Sequence, residues 1–173
     1  MNPLTLFNKI STFIFDVDGV LTDGTVLVLD NGLQARRMNI KDGFALQMAI
    51  KNGYRVLIIS GGNSPQVQQR LEYLGLTEIF MAVRDKKALI ADYCRKNNLK
   101  KEELLYMGDD LPDLPAMDAV GLACCPADAV LEVREKVQYI SALKGGDACV
   151  RDVIEKVLRL HDQWNYKVEI ASR

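Results

Sequence analysis

The chain has 173 residues, of which 49% are apolar and 26% charged, a composition typical of one folded domain and unlike that of a disordered chain. Its 22 basic and 23 acidic side chains nearly cancel, which argues against nucleic acid or an anionic membrane surface as a partner. The first apolar run, residues 10–15, is far shorter than the ~20 residues of a membrane-spanning helix, so we expect a cytoplasmic protein. The four cysteines form no CxxC pair and are expected to be reduced thiols.

Short apolar runs alternate with helical patterns along the chain. The pattern predicts strands at 12–15, 55–59, 79–83, 104–107 and 121–124, and helices at 42–51, 65–74, 86–96, 111–117 and 148–161. Asp30-Asn31-Gly32, between apolar arms at 26–29 and 35–38, is a turn sequence typical of a β-hairpin. Strands that are apolar throughout and alternate with helices predict an α/β fold, a doubly wound (Rossmann-like) parallel sheet. We expect one domain over 1–173, with a hairpin insert at 25–39 after the first strand and a C-terminal tail at 162–173.

Residues that can do chemistry stand at the ends of four predicted strands. Asp16 and Asp18 follow the first strand, and Ser60 follows the second. Lys86 lies just after the third strand, and Asp109 follows the fourth. Ligands of such sheets bind beyond the carboxyl ends of the strands, so these side chains are expected to share one site. Asp16 and Asp18, two residues apart, project to the same side if the backbone is extended.

Gathering the carboxylates of Asp16, Asp18 and Asp109 in one pocket is costly. Two carboxylates ~4 Å apart repel each other by about 4 kcal/mol at an effective dielectric constant near 20. A divalent cation relieves this repulsion, and an all-oxygen ligand set favours Mg²⁺. Lys86 and Ser60 would complete a pocket for a small anion such as phosphate. A carboxylate there can attack phosphorus to give an aspartyl-phosphate, while a second, protonated carboxylate gives the leaving alkoxide its proton and then activates water.

Each of these residues also has a simpler interpretation. A DxDG sequence is often only a turn, Asp110 could cap a helix, and Lys86 could be a solvated helix residue. Neither a Walker A loop nor a GxGxxG sequence is present, which counts against a nucleotide cofactor. The joint occurrence of the four segments, in chain order and each at a strand end, favours the phosphate-handling interpretation.

The four segments resemble the four motifs of the phosphatases of the haloacid dehalogenase superfamily. FDVDGVLTDG resembles the first motif, IISGG the second, Lys86 the third and GDDLPD the fourth. The resemblance implies these roles: nucleophile Asp16, acid/base Asp18, phosphoryl ligands Ser60 and Lys86, Mg²⁺ ligands Asp16, Asp109 and the backbone carbonyl of Asp18, and supporting acids Asp110 and Asp113.

The gaps between the motifs are filled by a hairpin, helices and strands and leave no room for a cap domain. Among capless members, the chain is most similar to the 3-deoxy-D-manno-octulosonate 8-phosphate phosphatases, through DGVLTDG, the hairpin, residues 39–43, GDDL and Lys144–Gly146. This resemblance implies a homotetramer whose neighbouring subunits help close each site, a role in lipopolysaccharide precursor synthesis, and a mobile tail segment at Lys144–Gly146. The residues it implies in binding the sugar phosphate are Asp18, Asn39, Ile40, Lys41, Asp42, Gly43, Gly61, Arg70 and Lys86.

One position departs from that family and leaves the sugar open. Octulosonate-specific members carry Arg, and the related nonulosonate 9-phosphate phosphatases carry Glu, where this chain has Gly62. A nonulosonate 9-phosphate is therefore an alternative substrate. Arg70 could instead face solvent, and Lys144–Gly146 could be an ordinary loop. A receiver-like phospho-acceptor module is an alternative of another class. Receivers, however, have the acid pair at the end of the first strand and the phosphorylated Asp on a later strand, whereas here DxD ends the first strand and GDD a later one.

Overall fold

The computed structural model describes residues 3–165 and is built around six parallel strands. The strands of this sheet are β1 (Thr12–Phe15), β4 (Arg55–Ile59), β5 (Glu78–Phe80), β6 (Leu104–Met107), β7 (Leu122–Cys125) and β8 (Tyr139–Ile140). Their order is β5-β4-β1-β6-β7-β8. The remaining two strands, β2 (Leu27–Val28) and β3 (Gln34–Ala35), form a separate antiparallel hairpin. The predicted parallel α/β fold with a hairpin after the first strand is confirmed.

Helices cover both faces of the sheet. They are α1 (Pro3–Phe7), α2 (Ile40–Lys51), α3 (Pro65–Tyr73), α4 (Lys86–Asn97), α5 (Leu114–Met117), α6 (Leu131–Lys136) and α7 (Cys149–Leu160), with single 3₁₀ turns at Lys101–Glu103 and Leu111–Asp113. β1 is buried along its whole length, and its side chains alternate between the two faces. Phe13 and Phe15 pack with α1, α2, α3 and α7, whereas Ile14 packs with α4, α5 and α6. None of the helices in residues 3–165 has the length and apolar character needed to cross a bilayer.

The strand order places two chemically important loops side by side. From β1 the chain proceeds to β4 and β5 on one side, then crosses to β6 on the other side of β1. The loops after β1 and β6 therefore diverge and leave a crevice at the carboxyl edge of the sheet. Asp16 follows β1 at this crevice, and its N–H donates to the carbonyl of Met107, the last residue of β6 (3.0 Å). Asp109 follows two residues later, so the topology itself brings these two acids together.

Several element boundaries differ from the predictions. α2 begins at Ile40 rather than at residue 42, because the Asn39 side chain accepts a hydrogen bond from the Lys41 N–H (2.9 Å) and caps the helix two residues earlier. β5 ends at Phe80 rather than at residue 83, since Ala82 adopts a positive φ of 55° that breaks an extended strand. Three short elements were not predicted at all: α1, α6 and β8.

The hairpin turns as its sequence predicts, with shorter arms. The Gly32 N–H donates to the Leu29 carbonyl (2.9 Å), and the Leu29 N–H donates to the Leu33 carbonyl (2.9 Å). Gly32 has a φ of 80°, a conformation that costs glycine little, whereas Asn31 does not adopt a positive φ. The turn is therefore of the three-residue kind that ends in a left-handed glycine, not the two-residue kind.

All four cysteines are free thiols. Cys124 and Cys125 are consecutive in β7 and pack on opposite faces of the sheet, while Cys149 is buried at the start of α7. Burial raises the pKa of Cys125 to about 11 and that of Cys124 well above its ordinary value. Cys94, on α4, is partly exposed. Three of the four thiols are thus buried, and their reduced state remains a prediction.

Candidate active site

A cleft of about 330 Å³ opens at the carboxyl edge of the sheet, within the size range of small-molecule sites. Most of the predicted site residues line it: Asp16, Asp18, Ser60, Gly61, Lys86, Asp109, Asp110 and Asp113. Gly62 and Arg84 line it as well. Five carboxylates and two cations thus share a small, strongly polar space.

Asp16 and Asp18 are placed by a turn that follows β1 directly. The turn, Val17–Leu21, is closed by a hydrogen bond from the Thr22 N–H to the Val17 carbonyl (3.0 Å). Asp16 accepts a hydrogen bond from the Val17 N–H through Oδ1 (2.7 Å). Both carboxylates line the cleft, as expected, but within this turn and not along a continued strand. As a result Asp16 is aimed at the interior of the cleft, and Asp18 is aimed towards the hairpin.

Lys86, the first residue of α4, is held between two carboxylates. Its Nζ lies 2.8 Å from Oδ2 of Asp16 and 2.7 Å from Oδ1 of Asp113. Oδ1 of Asp113 also accepts a hydrogen bond from the Tyr106 hydroxyl (2.6 Å). Its Oδ2 accepts hydrogen bonds from the N–H groups of Asp109 (3.0 Å) and Asp110 (3.3 Å). Both oxygens of Asp113 are therefore fully used. Its position fixes Lys86 and the turn that carries Asp109.

The acid cluster fits a divalent cation. Ligand oxygens of Asp16, Asp109 and Asp113 lie within 4.8 Å of one another. Among residues 3–165, no donor binds the Asp109 carboxylate, which lies against Gly19; a Cβ on Gly19 would stand 1.9 Å from its Oδ2. Because the lone pairs of Asp113 are taken by donors, Asp16 and Asp109 are the carboxylates left to bind a metal. Ligation by the backbone carbonyl of Asp18 stays a prediction.

The charge distribution of the cleft favours the binding of a cation. Burial, reinforced by the negative charge of Asp113, raises the pKa of Asp16 to about 6. Burial and the charges of Asp113 and Asp16 raise the pKa of Asp109 to about 7. Burial opposes the charge of Lys86, but the two carboxylates beside it outweigh burial and raise its pKa. The cleft therefore favours a fixed ammonium at Lys86 and an added positive charge near Asp16 and Asp109.

The loop after β4 forms the opposite wall of the cleft. Ser60 is buried, and its Oγ accepts a hydrogen bond from the Gly62 N–H (3.1 Å). The Gly61 N–H has no acceptor among the described residues, so it is available to a bound anion. A Cβ on Gly62 would lie 3.3 Å from Oδ2 of Asp18, so a side chain there would enter the cleft.

The predicted substrate residues 39–43 and Arg70 do not line this cleft. Asn39 caps α2 and donates from Nδ2 to the Gly146 carbonyl (3.2 Å). Asp42 is buried and accepts a hydrogen bond from the Arg151 N–H (2.7 Å); burial raises its pKa to about 6. Arg70 lines a separate groove beside the hairpin. Within one subunit none of these residues lines the cleft. Their contact with substrate remains a prediction, in which they would reach the site of a neighbouring subunit.

The Lys144–Gly146 segment packs on the turn that carries Asp16 and Asp18. The Gly146 N–H donates to the Val20 carbonyl (2.9 Å), and a Cβ on Gly145 would stand 1.9 Å from the Gly19 carbonyl oxygen. The Gly145 N–H donates to Oδ1 of Asp128 (2.9 Å). In this structure the segment supports the turn that carries Asp16 and Asp18.

Sequence reasoning missed three residues of the site. Arg36, just after β3, donates from Nε to Oδ1 of Asp18 (2.6 Å). Tyr106 is the one side chain with a hydroxyl in the otherwise apolar β6, a signal that could have indicated a buried polar partner. Arg84 precedes Lys86 by two residues and could have been noticed as a second cation at the same strand end.

Comparisons with known proteins agree with this geometry. The 3-deoxy-D-manno-octulosonate 8-phosphate phosphatase KdsC of Escherichia coli is 34% identical over 150 residues, covering 87% of this chain and 80% of that protein. The crystal structure of the phosphatase of the same name from Yersinia pestis superposes with a TM-score of 0.89 at 31% identity, covering 92% of this chain and 86% of the other. The enzyme from Moraxella catarrhalis, in complex with magnesium, phosphate and a KDO molecule, superposes with a TM-score of 0.88 at 30% identity and 91% coverage of both chains. No protein-family model matches the chain.

Proposed function

The chain belongs to the family of 3-deoxy-D-manno-octulosonate 8-phosphate phosphatases in the haloacid dehalogenase superfamily, and from that premise we propose that it is a Mg²⁺-dependent phosphomonoesterase. Its reaction is the hydrolysis of 3-deoxy-D-manno-octulosonate 8-phosphate to the free sugar acid and phosphate. The observation that carries this proposal is the placement of the Asp16 carboxylate, at the end of β1, between the Lys86 ammonium and the unpartnered Asp109 carboxylate.

Asp16 is the nucleophile in this proposal. The Val17 N–H and the Lys86 ammonium each bind one of its oxygens and fix the carboxylate for attack on phosphorus. As the bond from Asp16 to phosphorus forms, the bond from phosphorus to the sugar oxygen breaks, and Asp18 gives that oxygen a proton. Asp18 then takes a proton from water, which attacks the aspartyl-phosphate and releases Asp16 and phosphate.

The phosphoryl group is held by residues that surround Asp16. Ser60, Gly61 and Lys86 line the cleft, where the Ser60 hydroxyl, the Gly61 N–H and the Lys86 ammonium would bind the oxygens of the phosphoryl group. Asp16 and Asp109, with the backbone carbonyl of Asp18, would hold Mg²⁺. When bound there, the ion neutralises the charge that otherwise keeps an anionic substrate away from the acids. Asp110 and Asp113 support this arrangement, Asp113 by orienting Lys86.

We further propose that the protein is a single domain that acts as a homotetramer, with sites completed by neighbouring subunits. Support comes from the hairpin, where Leu27 and Val28 are 64% and 70% exposed, an apolar surface of the kind that marks an interface. The predicted substrate residues that are at least partly exposed would then reach a neighbour's site: Asn39, Ile40, Lys41 and Arg70. Asp42 and Gly43 are buried in their own subunit and would act by positioning this segment. The free thiols fit a reducing compartment, and we place the enzyme in the cytoplasm, in lipopolysaccharide precursor synthesis.

The test is phosphate release from a panel of sugar phosphates, with Mg²⁺ and with EDTA. The panel contains octulosonate 8-phosphate, a nonulosonate 9-phosphate, as the alternative that Gly62 leaves open, and neutral hexose phosphates. We expect metal-dependent turnover that is fastest on octulosonate 8-phosphate. The Asp16→Asn variant is the matched control, expected to lose about 10³-fold or more of the rate while it keeps its melting temperature.

Three outcomes would overturn parts of the proposal. Single labelling by a phosphodonor without turnover would favour a receiver-like module over a phosphatase. Fastest turnover on the nonulosonate would change the sugar and keep the reaction. Light scattering tests the assembly, and a fully active monomer would contradict the shared site.

A further inference from the structure

Three cationic side chains reach the cleft or its wall, and two of them are already neutralised. Lys86 is bound by Asp16 and Asp113, and Arg36 is bound by Asp18. The third, Arg84, is exposed and lines the cleft. Within residues 3–165 its guanidinium has no ion-pair or hydrogen-bond partner. In the described part of the chain, Arg84 is thus the cation of this cleft that remains available to a ligand.

The loop that carries Arg84 is fixed to the phosphoryl-binding loop. The Ala82 N–H donates to the Gly62 carbonyl (3.0 Å), and the Val83 N–H donates to the Ser60 carbonyl (2.9 Å). Ala82 is held at a φ of 55°, a conformation that is strained for an alanine and persists only where the surroundings enforce it. These two hydrogen bonds turn the chain sharply after β5 and bring Arg84 to the cleft.

The charges of the proposed substrate call for a second cation. An octulosonate 8-phosphate carries its phosphate at one end and a carboxylate at the other. Lys86 serves the phosphate end, in a cleft that otherwise presents five carboxylates to the incoming acid. Gly62, on the loop to which Arg84 is tied, offers no side chain to that carboxylate. A guanidinium binds a carboxylate through two parallel hydrogen bonds, which suits Arg84 for this contact.

We propose that Arg84 binds the carboxylate of the sugar acid and so selects acidic sugar phosphates over neutral ones. This inference rests on the proposed function. It assigns selectivity to the loop between β5 and α4, on the same subunit as the phosphoryl-binding residues. Arg84 takes no part in bond breaking, so its contribution lies in substrate binding.

The test compares three variants on two substrates. Arg84→Met removes the guanidinium and keeps an unbranched apolar stem, and Arg84→Lys retains the charge without the planar guanidinium. Arg95→Met is a matched control on the exposed face of α4. The substrates are octulosonate 8-phosphate and p-nitrophenyl phosphate, which has no carboxylate. For Arg84→Met we expect KM for the octulosonate to rise about 10- to 100-fold, with kcat little changed and with p-nitrophenyl phosphate unaffected. Arg84→Lys should recover part of the loss, and Arg95→Met should match the unchanged protein.

The possible outcomes distinguish failure of the Arg84 assignment from failure of the proposed function. If the unchanged protein prefers the octulosonate and Arg84→Met keeps that preference, the assignment of Arg84 is wrong and the proposed function stands. If Arg84→Met loses activity equally on both substrates, Arg84 acts on the phosphate or the fold, which also overturns the inference. If the unchanged protein shows no preference for the acidic substrate, both the inference and the proposed substrate fail.

Discussion

The guanidinium of Arg36 holds the carboxylate of Asp18 from the hairpin side, with Nε 2.6 Å from Oδ1 and Nη2 3.5 Å from Oδ2. The Arg36 side chain is 9% exposed, whereas that of Asp18 is 41% exposed. The acid/base residue of the proposed mechanism is therefore oriented by a residue outside the four motifs. The hairpin contributes to the site even within one subunit.

Loss of this contact should slow proton transfer more than phosphoryl transfer. In Arg36→Met, Asp18 loses the partner that fixes its orientation, and we expect kcat/KM on a sugar phosphate to fall about 10- to 100-fold. p-Nitrophenyl phosphate has a leaving group that departs without a proton, so its kcat/KM, which covers only the steps up to formation of the aspartyl-phosphate, should fall much less. The ratio of the two kcat/KM values is the measurement. Equal losses on both substrates would contradict the orienting role, and Arg37→Met, in which the lost residue is an exposed neighbour, is the control.

Asp113 should matter far more for stability than the tyrosine that binds it. Asp113→Asn puts an amide where four donors converge, so we expect a loss of about 2–4 kcal/mol in the free energy of unfolding and a large loss of activity. Tyr106→Phe removes one donor and leaves the ion pair with Lys86, which should cost about 1 kcal/mol. Urea unfolding of both variants checks the ranking. Comparable losses of unfolding free energy in the two variants would show that the Lys86–Asp113 ion pair adds little stability beyond the Tyr106–Asp113 hydrogen bond.

Mg²⁺ binding should strengthen with pH. Without metal, the raised pKa values of Asp16 (about 6) and Asp109 (about 7) mean that the folded protein binds these protons more tightly than the unfolded chain, whose carboxyls titrate near 3.8. Their contribution to stability is present at low pH and is lost as pH rises from about 4 to about 7. Mg²⁺ must displace the same protons, so it stabilises the protein most above about pH 7.

Thermal melts with saturating Mg²⁺ and with EDTA measure this dependence. The rise in melting temperature on adding Mg²⁺ should be small at about pH 5 and large at about pH 8. In Asp109→Asn the rise should be much reduced at both values, because one ligand is lost. A rise of equal size at both pH values in the unchanged protein would refute proton competition at these acids.

Gly145 should tolerate no side chain. In Gly145→Ala the new Cβ meets the Gly19 carbonyl 1.9 Å away, so either the Lys144–Gly146 segment or the turn that carries Asp16 and Asp18 must move. We expect the rate to fall by about tenfold or more, together with the melting temperature. Gly53→Ala is the matched control: its φ of 84° strains an alanine by about 1–2 kcal/mol, but no atom lies within 4 Å, and activity should persist. Equal behaviour of the two variants would mean that this support is not required.

The parts of the fold that could be predicted from sequence are those specified locally. The run TFIF reads as a buried strand because every side chain is apolar and Asp16 ends the run, and the motif residues could be placed because they follow such runs directly. Helix α2 was misplaced at its start because capping by Asn39 depends on side-chain geometry, not on hydrophobic spacing. The short α1, α6 and β8 carry too few residues to show a period.

The missed parts of the site are those made by contacts distant in sequence. Asp113 receives Lys86 from α4 and the Tyr106 hydroxyl from β6, and nothing in GDDLPD indicates either donor. Similarly, the pairing of Arg36 with Asp18 depends on how the hairpin folds back over the turn after β1. The positions of polar residues at strand ends located the cleft, but they could not show that residues 39–43 lie outside its lining.

The distribution of thiols makes the protein convenient to label at one position. Cys124, Cys125 and Cys149 are enclosed by the core, and consecutive residues of a strand point apart, so β7 cannot form an internal disulfide. Alkylating reagents attack exposed thiolates, which leaves Cys94 as the accessible target. Cys94 lies on α4, the helix whose first residue is Lys86, and on a part of that helix outside the cleft. A fluorophore attached to Cys94 would be carried by α4, the helix that holds the Lys86 ammonium, and would report movement of that helix during turnover.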